Sequence, residues 1–303
     1  MFAMIVSLFA FTVLVKGQPQ TVRLAVLDFG ASATGTSAAN SIRQLFSEDG
    51  VAAREFAVID RDLATAAARG SGFQGSLNLT TEEARDIGAA IGSEFYFIGD
   101  AQTLRRSPST GPAYYESYAS VFLVSARTGR LILWERPLER RDTAAAAEQS
   151  LHKVLTSGET RHRYQVAIRR TLEDERAQRE SAIEKPASII EVMSEDENVE
   201  NKDTRPPRPF QRFKPPYPDA AARAEIEAVV DVLVDVDARG EISHVEIARW
   251  AGYGLDQSVI DTVKQMHFFP AMRSGVAIPM RVLLRYNFRK PPKPEDQRPG
   301  RGL

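Results

Sequence analysis

The stretch GASATGTS, residues 30–37, follows an apolar strand pattern and opens a helical one, the setting of a phosphate-binding loop. Gly30 and Gly35 have the G-x-x-x-x-G spacing, but Thr36 stands where such a loop carries lysine. Without that charge a phosphate loses its main counter-charge, and the segment reads as a capped connection between strand and helix. A nucleotide-dependent enzyme using Gly30, Gly35 and Thr36 is the alternative. His244 and Glu246 share a strand face, where two metal ligands could sit. His152, His162 and His267 are scattered and no third ligand is placed, so a surface pair without metal is expected. Asp231, Asp235 and Asp237 fall on one face of a strand pattern and are expected to mark its wet side. Adjacent Asp60 and Arg61 are expected to form a buried pair pinning a strand-to-helix turn, and Tyr114, Tyr115 and Tyr118 to be ordinary strand aromatics. No nucleophile has the context, such as a G-x-S-x-G elbow, that catalysis needs. No catalytic, cofactor-binding or metal-binding residue is assigned, and a non-enzymatic protein is expected.

The chain that must position these residues has 303 of them, enough for about two domains. A hydrophobic share of 43% and a charged share of 26% are ordinary for a globular protein. The net charge of −1 supplies no field that would draw the chain to nucleic acid. With no cysteine, disulfides, thiolate metal sites and an acylated N-terminal cysteine are excluded. Residues 1–15, MFAMIVSLFAFTVLV, are uncharged and shorter than the ~20 residues of a spanning helix. Residues 1–17 are therefore expected to be a signal peptide, or to stay as a short anchor attaching the chain to a membrane.

Residues 20–142 alternate strand and helix patterns in the order β-α-β-α-α-β-β-β, an α/β sandwich. Asp60 is placed to cap one helix, Thr80 and Glu83 to form a capping box at the next, and Thr128 and Gly129 to turn a long hairpin. Residues 143–185 read as helix, with a break at Ser157 and Gly158 and a charged, solvated later part. Residues 186–209 lack apolar periodicity and carry acidic and proline runs, which predicts a disordered or extended linker. Six prolines fall in RPPRPFQRFKPPYP, residues 205–218, an extended arm leading into a compact unit over 210–290. That unit reads α-β-β-α-β, with Val230, Val232, Val234 and Val236 on the apolar face of its first long strand. The tail, 291–303, cannot pack a core and is expected to be disordered. The fold class is therefore α+β or α/β: a sandwich followed by a small second domain.

The series PPYP, VVDVLVDVDARGEISHVEI, LDQSVIDTVKQMHFFPA and SGVAIPMRVLLRYNF resembles the C-terminal domain of TonB, the energy transducer of outer-membrane transport. The likeness rests on the pair Tyr217 and Pro218, the turn from Asp237 to Gly240, Phe268 to Ala271, and a final strand after Gly275. Ala228 departs from it, standing where the family usually has glycine. The N-terminal unit more faintly resembles the curli-secretion lipoprotein CsgG and the N-terminal domain of TolB, through VIDR at 58–61 and the segment between Gly88 and Gly99.

The TonB resemblance implies a periplasmic or cell-envelope protein, with transport across the outer membrane among the family's roles. It also implies a partner protein that adds an extended segment to the edge of the last strand. The residues implied are Arg281, Leu283, Arg285 and Asn287 on that strand, with Tyr217 and Pro218 opening the domain. The stretch from Pro186 to Pro216 is read as a tether that lets this domain search for its partner. A module that merely dimerises through the same edge is a further alternative, and no cofactor is expected.

Overall fold

The computed structural model describes residues 21–47, 55–184, 192–194 and 204–290. The N-terminal apolar run and the C-terminal tail lie outside the described residues. No helix among the described residues is long and apolar enough to cross a membrane.

The N-terminal unit opens with β1 (Val22–Val26), α1 (Ala33–Ser47) and β2 (Phe56–Val58). It continues through α2 (Arg61–Gly70), α3 (Thr81–Ile91), β3 (Phe95–Arg106), β4 (Tyr114–Ser125), β5 (Leu131–Glu135) and β6 (Leu138–Arg141). The sheet order is β2-β1-β3-β4-β5, with β6 also on β4; β2, β1 and β3 are parallel and the rest antiparallel. This matches the expected α/β class, the last strand being split at Arg136 and Pro137. Local chemistry sets the helix starts as expected: Asp60 accepts from the backbone N–H of Asp62 and Leu63, and Thr80 and Glu83 form a reciprocal capping box.

Alternation along the strands sends residues to two cores. Leu24, Val26, Phe97 and Leu123 meet α1 on one face. That face is completed by α4 (Ala144–Leu155), through Leu151 and Leu155, and by α5 (Gly158–Glu184), through Tyr164 and Ile168. The solvated helix expected over the charged stretch is thus corrected for its first half. Tyr164 and Ile168, four residues apart, are wholly buried, and Arg163 reaches the Glu135 carboxylate. On the other face Ala25, Tyr96 and Ile98 meet α2 and α3, while Phe122 meets residues from the C-terminal unit.

Within the linker lie β7 (Val192–Ser194), β8 (Thr204–Arg205) and β9 (Arg208–Pro209). The C-terminal unit follows as α6 (Asp219–Ala224), β10 (Ala228–Val236), β11 (Ile242–Arg249) and α7 (Leu255–Val263). It ends with β12 (Phe268–Phe269), β13 (Ala271–Arg273), β14 (Val276–Ile278) and β15 (Met280–Phe288). Its sheet order is β11-β10-β15-β7, with small ribbons β9–β12 and β8–β13–β14 beside it. Val230, Val232, Val234 and Val236 pack with Val282 and Leu284 against Leu255, Val259 and Val263 of α7. The α-β-β-α-β expectation is met, with the three short strands β12 to β14 inserted before β15.

The two units share a core. The loop of residues 250–254, between β11 and α7, drives Trp250 and Tyr253 against Phe122, at ring-centroid distances of 5.9 Å for each. The Trp250 indole N–H donates to the Gly129 carbonyl at 2.9 Å and the Tyr253 hydroxyl to Ser120 Oγ at 3.0 Å, both buried. Asn78 bridges the backbones: its amide donates to the Val229 and Trp250 carbonyls, and its oxygen accepts from Val229 N–H. The C-terminal unit is docked, which corrects the expectation of a domain searching on a free tether.

Candidate strand-pairing interface

β15 is the last long strand of the C-terminal sheet, and its two sides differ. On one side all nine residues pair antiparallel with β10, from Ala228 opposite Phe288 to Val236 opposite Met280. On the other side β7 pairs in parallel over three residues, Val192 with Arg281, Met193 with Val282 and Ser194 with Leu283. Among the described residues no strand pairs with that side of residues 284–288. The edge expected to be open along its length is therefore occupied by the chain's own linker at its start.

The predicted site residues divide accordingly. Arg281 makes a two-pronged ion pair with Asp235, at 2.5 and 2.7 Å, and Arg285 one with Asp231, at 2.7 and 3.0 Å. Arg249 of β11 approaches Asp231 from the opposite flank at 3.4 Å. Both aspartates are buried beneath these guanidinium groups, so the expected wet face is corrected to a carboxylate row roofed by arginine. The cross-strand register makes this pairing, since Asp231 lies opposite Arg285 and Asp235 opposite Arg281. Arg281 and Arg285 thus fix β15 to β10, while half-buried Leu283 and exposed Asn287 lie on the same face. Tyr217 and Pro218 lie at the end of β15. The Tyr217 hydroxyl donates to the Ile226 carbonyl and its ring leans on Phe288, while Pro218 precedes α6 as its N-cap. They close the start of the domain onto the end of β15.

The other singled-out residues serve the scaffold. Arg61 pairs with Asp28 at 2.6 Å while Asp60 caps α2, which corrects the expected Asp60–Arg61 pair. The Asp237 carboxylate, in the β10–β11 turn, accepts the backbone N–H of Glu241 and Arg239, and these bonds hold its pKa below the ordinary value. His244 and Glu246 face each other at 4.0 Å, but Glu246 is engaged by Arg130 of the N-terminal unit at 2.6 Å. Among the described residues no group of three candidate ligands could hold a metal. Tyr118 donates to Asp100 at 2.9 Å and lies under the Arg136 guanidinium.

A cavity of about 430 Å³ does lie beside the loop after β1, lined by Asp28, Gly30, Thr36, Arg69 and Phe73 among others. It sits at the carboxyl end of β1, where the parallel strands part to either side, the usual ligand position in such sheets. Its chemistry disfavours phosphate. A Cβ on Gly35 would lie 2.0 Å from the Phe29 carbonyl oxygen, so the glycine serves packing on the preceding strand. The N–H groups of Gly35 and Thr36 are already bonded to Ser32. Although burial works against ionisation, hydrogen bonds from Arg61 and Arg43 hold the Asp28 carboxyl below its ordinary pKa, and both guanidinium groups are thereby engaged by a carboxylate of the protein itself. Millimolar ATP or GTP is therefore expected to leave the thermal midpoint unchanged; a saturable rise of several degrees would restore the nucleotide alternative.

What the geometry defines is a small α+β domain built on an antiparallel pairing of β11, β10 and β15, with α7 packed on one face. Residues 214–289 match the family model described as Gram-negative bacterial TonB protein C-terminal, and this part of the chain is a TonB C-terminal domain. No match is found among curated proteins. Solved structures with local likeness include the Pseudomonas aeruginosa TonB C-terminal domain, at 20% identity and a TM-score of 0.26, covering 33% of this chain and 96% of that one. A hypothetical protein from Chlamydia trachomatis matches at 10% identity and 0.32, covering 45% and 94%. The LpoB C-terminal domain from Salmonella enterica matches at 17% identity and 0.28, covering 42% and 87%. The family match stops short of the N-terminal unit.

Proposed function

We propose that this chain is a non-enzymatic cell-envelope protein that binds a partner protein by adding a partner strand to the outer edge of β15. The observation that carries this is the β7–β15 pairing, since it is strand addition at that edge. Main-chain bonds along β15 supply the affinity, and Leu283 and Asn287 present the alternating side chains that a partner reads. The TonB C-terminal domain supports the envelope setting, and the cysteine-free composition is compatible with it. The N-terminal unit, which resembles envelope domains of the CsgG and TolB type, holds the edge at a fixed orientation through its docking on residues 249–254.

A photo-reactive residue at Asn287 in the full chain, tested in cells, is expected to crosslink one partner at an extended segment. Yield there should exceed that at His244, on the opposite edge of the same sheet, by at least about tenfold, the factor expected when one edge binds and the other does not. A crosslink to a second copy of this chain would make the partner the protein itself. Equal yields at 287 and 244, or crosslinking at 244 alone, would overturn the assignment to β15.

A further inference from the structure

Every long pairing in the C-terminal sheet is antiparallel, β10 with β11 and β10 with β15; β7 alone is parallel. Parallel pairing is slightly weaker per residue, and only three residues take part. β7 also differs from the other linker strands. β9 pairs antiparallel with Phe268 and Phe269 and β8 with Met272 and Arg273, and the Phe210 N–H that follows bonds the His267 carbonyl. β7 instead lies on the outermost edge of the sheet. Around it the sequence is SIIEVMSEDE, residues 188–197: branched apolar residues suited to a strand, then acidic ones that end it.

We infer that Val192–Ser194 is an intramolecular competitor: an autoinhibitory strand that covers the start of the β15 edge and must leave before a partner can pair along all of it. This rests on the proposed function, and adds a regulation that the function does not require. The connections are short. Seven residues, 185–191, join α5 to β7, and nine, 195–203, join β7 to β8. A strand held on such links works at an effective concentration in the millimolar range, so a weak pairing stays populated. A partner strand that pairs with Arg281–Leu283 must displace β7. If β7 covers the edge about nine-tenths of the time, the apparent affinity for a partner falls about tenfold, in proportion to the uncovered fraction.

The probe is a labelled synthetic peptide of residues 187–197, added to the full chain. Two variants disable the strand in place: Met193→Pro, which removes a backbone donor, and the double change Val192→Gly with Met193→Gly, which lowers strand propensity at constant length. Both variants are expected to bind the peptide about tenfold more tightly than the unaltered chain. Their amides at Arg281–Leu283 should exchange faster, and regain protection when peptide is added. Measurable binding of equal strength by all three proteins would overturn the autoinhibition and leave the edge as a strand acceptor. Absence of binding to all three, with unchanged exchange at Arg281–Leu283, would overturn both the inhibition and the edge assignment.

Discussion

Replacing Trp250 by alanine is expected to cost about 3–5 kcal/mol of stability, the range for truncating a fully buried tryptophan. Trp250 is 1% exposed and its ring lies against Phe122 of the other unit. Truncation opens a cavity at the centre of the interface and leaves the Gly129 carbonyl without its indole donor. The damage falls on both units, because Phe122, Trp250 and Tyr253 belong to one core cluster. Urea unfolding followed by fluorescence and by far-UV dichroism checks this. The unaltered chain should lose both signals together, while Trp250→Ala should move the midpoint down and separate the probes. A loss below about 0.5 kcal/mol would mean that the docking is superficial, since that is the size of an ordinary surface change. Gly252→Ala tests the same loop sterically. Gly252 has φ +73°, and an added Cβ would fall 2.6 Å from the Phe122 ring and 2.9 Å from that of Trp134.

Much of the secondary structure was legible because it rests on local chemistry. Caps at Asp60 and Thr80, the break near Gly158, and the valine alternation of β10 each need only a few neighbouring residues. What the sequence concealed depends on partners distant along the chain. The segment RWAGYG, residues 249–254, shows no period and has no meaning without Phe122 and Ser120 more than a hundred residues away. Tyr164 and Ile168 are two apolar residues in an arginine-rich helix, too narrow a stripe to announce burial until Phe46 and Phe97 are placed against Tyr164. Asp231 and Asp235 carried the period of a solvated face, and the period was correct. Their burial follows from register, which sets Arg285 and Arg281 opposite them. At the candidate site the last strand was readable from its alternation, but β7 was not, because three residues are too few to display a period of two.

Stability is expected to fall as pH rises from about 4 to about 6, through Asp256. This carboxylate is in the first turn of α7 and accepts the N–H groups of Ala251 and Gly252 at 2.8 Å each, holding the loop that carries Trp250 and Tyr253. Burial raises its pKa from 3.8 to about 6, against the opposing pull of those two hydrogen bonds. A carboxyl with a raised folded-state pKa retains its proton in the folded chain at pH values where the unfolded chain has lost it. Its contribution is therefore fully present below about pH 4 and declines until about pH 6, by at most about 3 kcal/mol at 1.36 kcal/mol per pKa unit. Asp256→Asn cannot titrate, but its amide oxygen can still accept from the loop. Subtracting its urea-unfolding free energy from that of the unaltered chain at pH 4, 5, 6 and 7 isolates this group from every other carboxylate. The difference should shrink steadily across the interval. A flat difference would mean that the two N–H donors outweigh burial and keep Asp256 ionised in the docked loop. A shrinking one would mean that burial outweighs the two donors: docking is then more favourable with Asp256 protonated, although the bonds from Ala251 and Gly252 are themselves stronger to the carboxylate, and the Trp250 and Tyr253 contacts, which do not titrate there, hold the interface throughout.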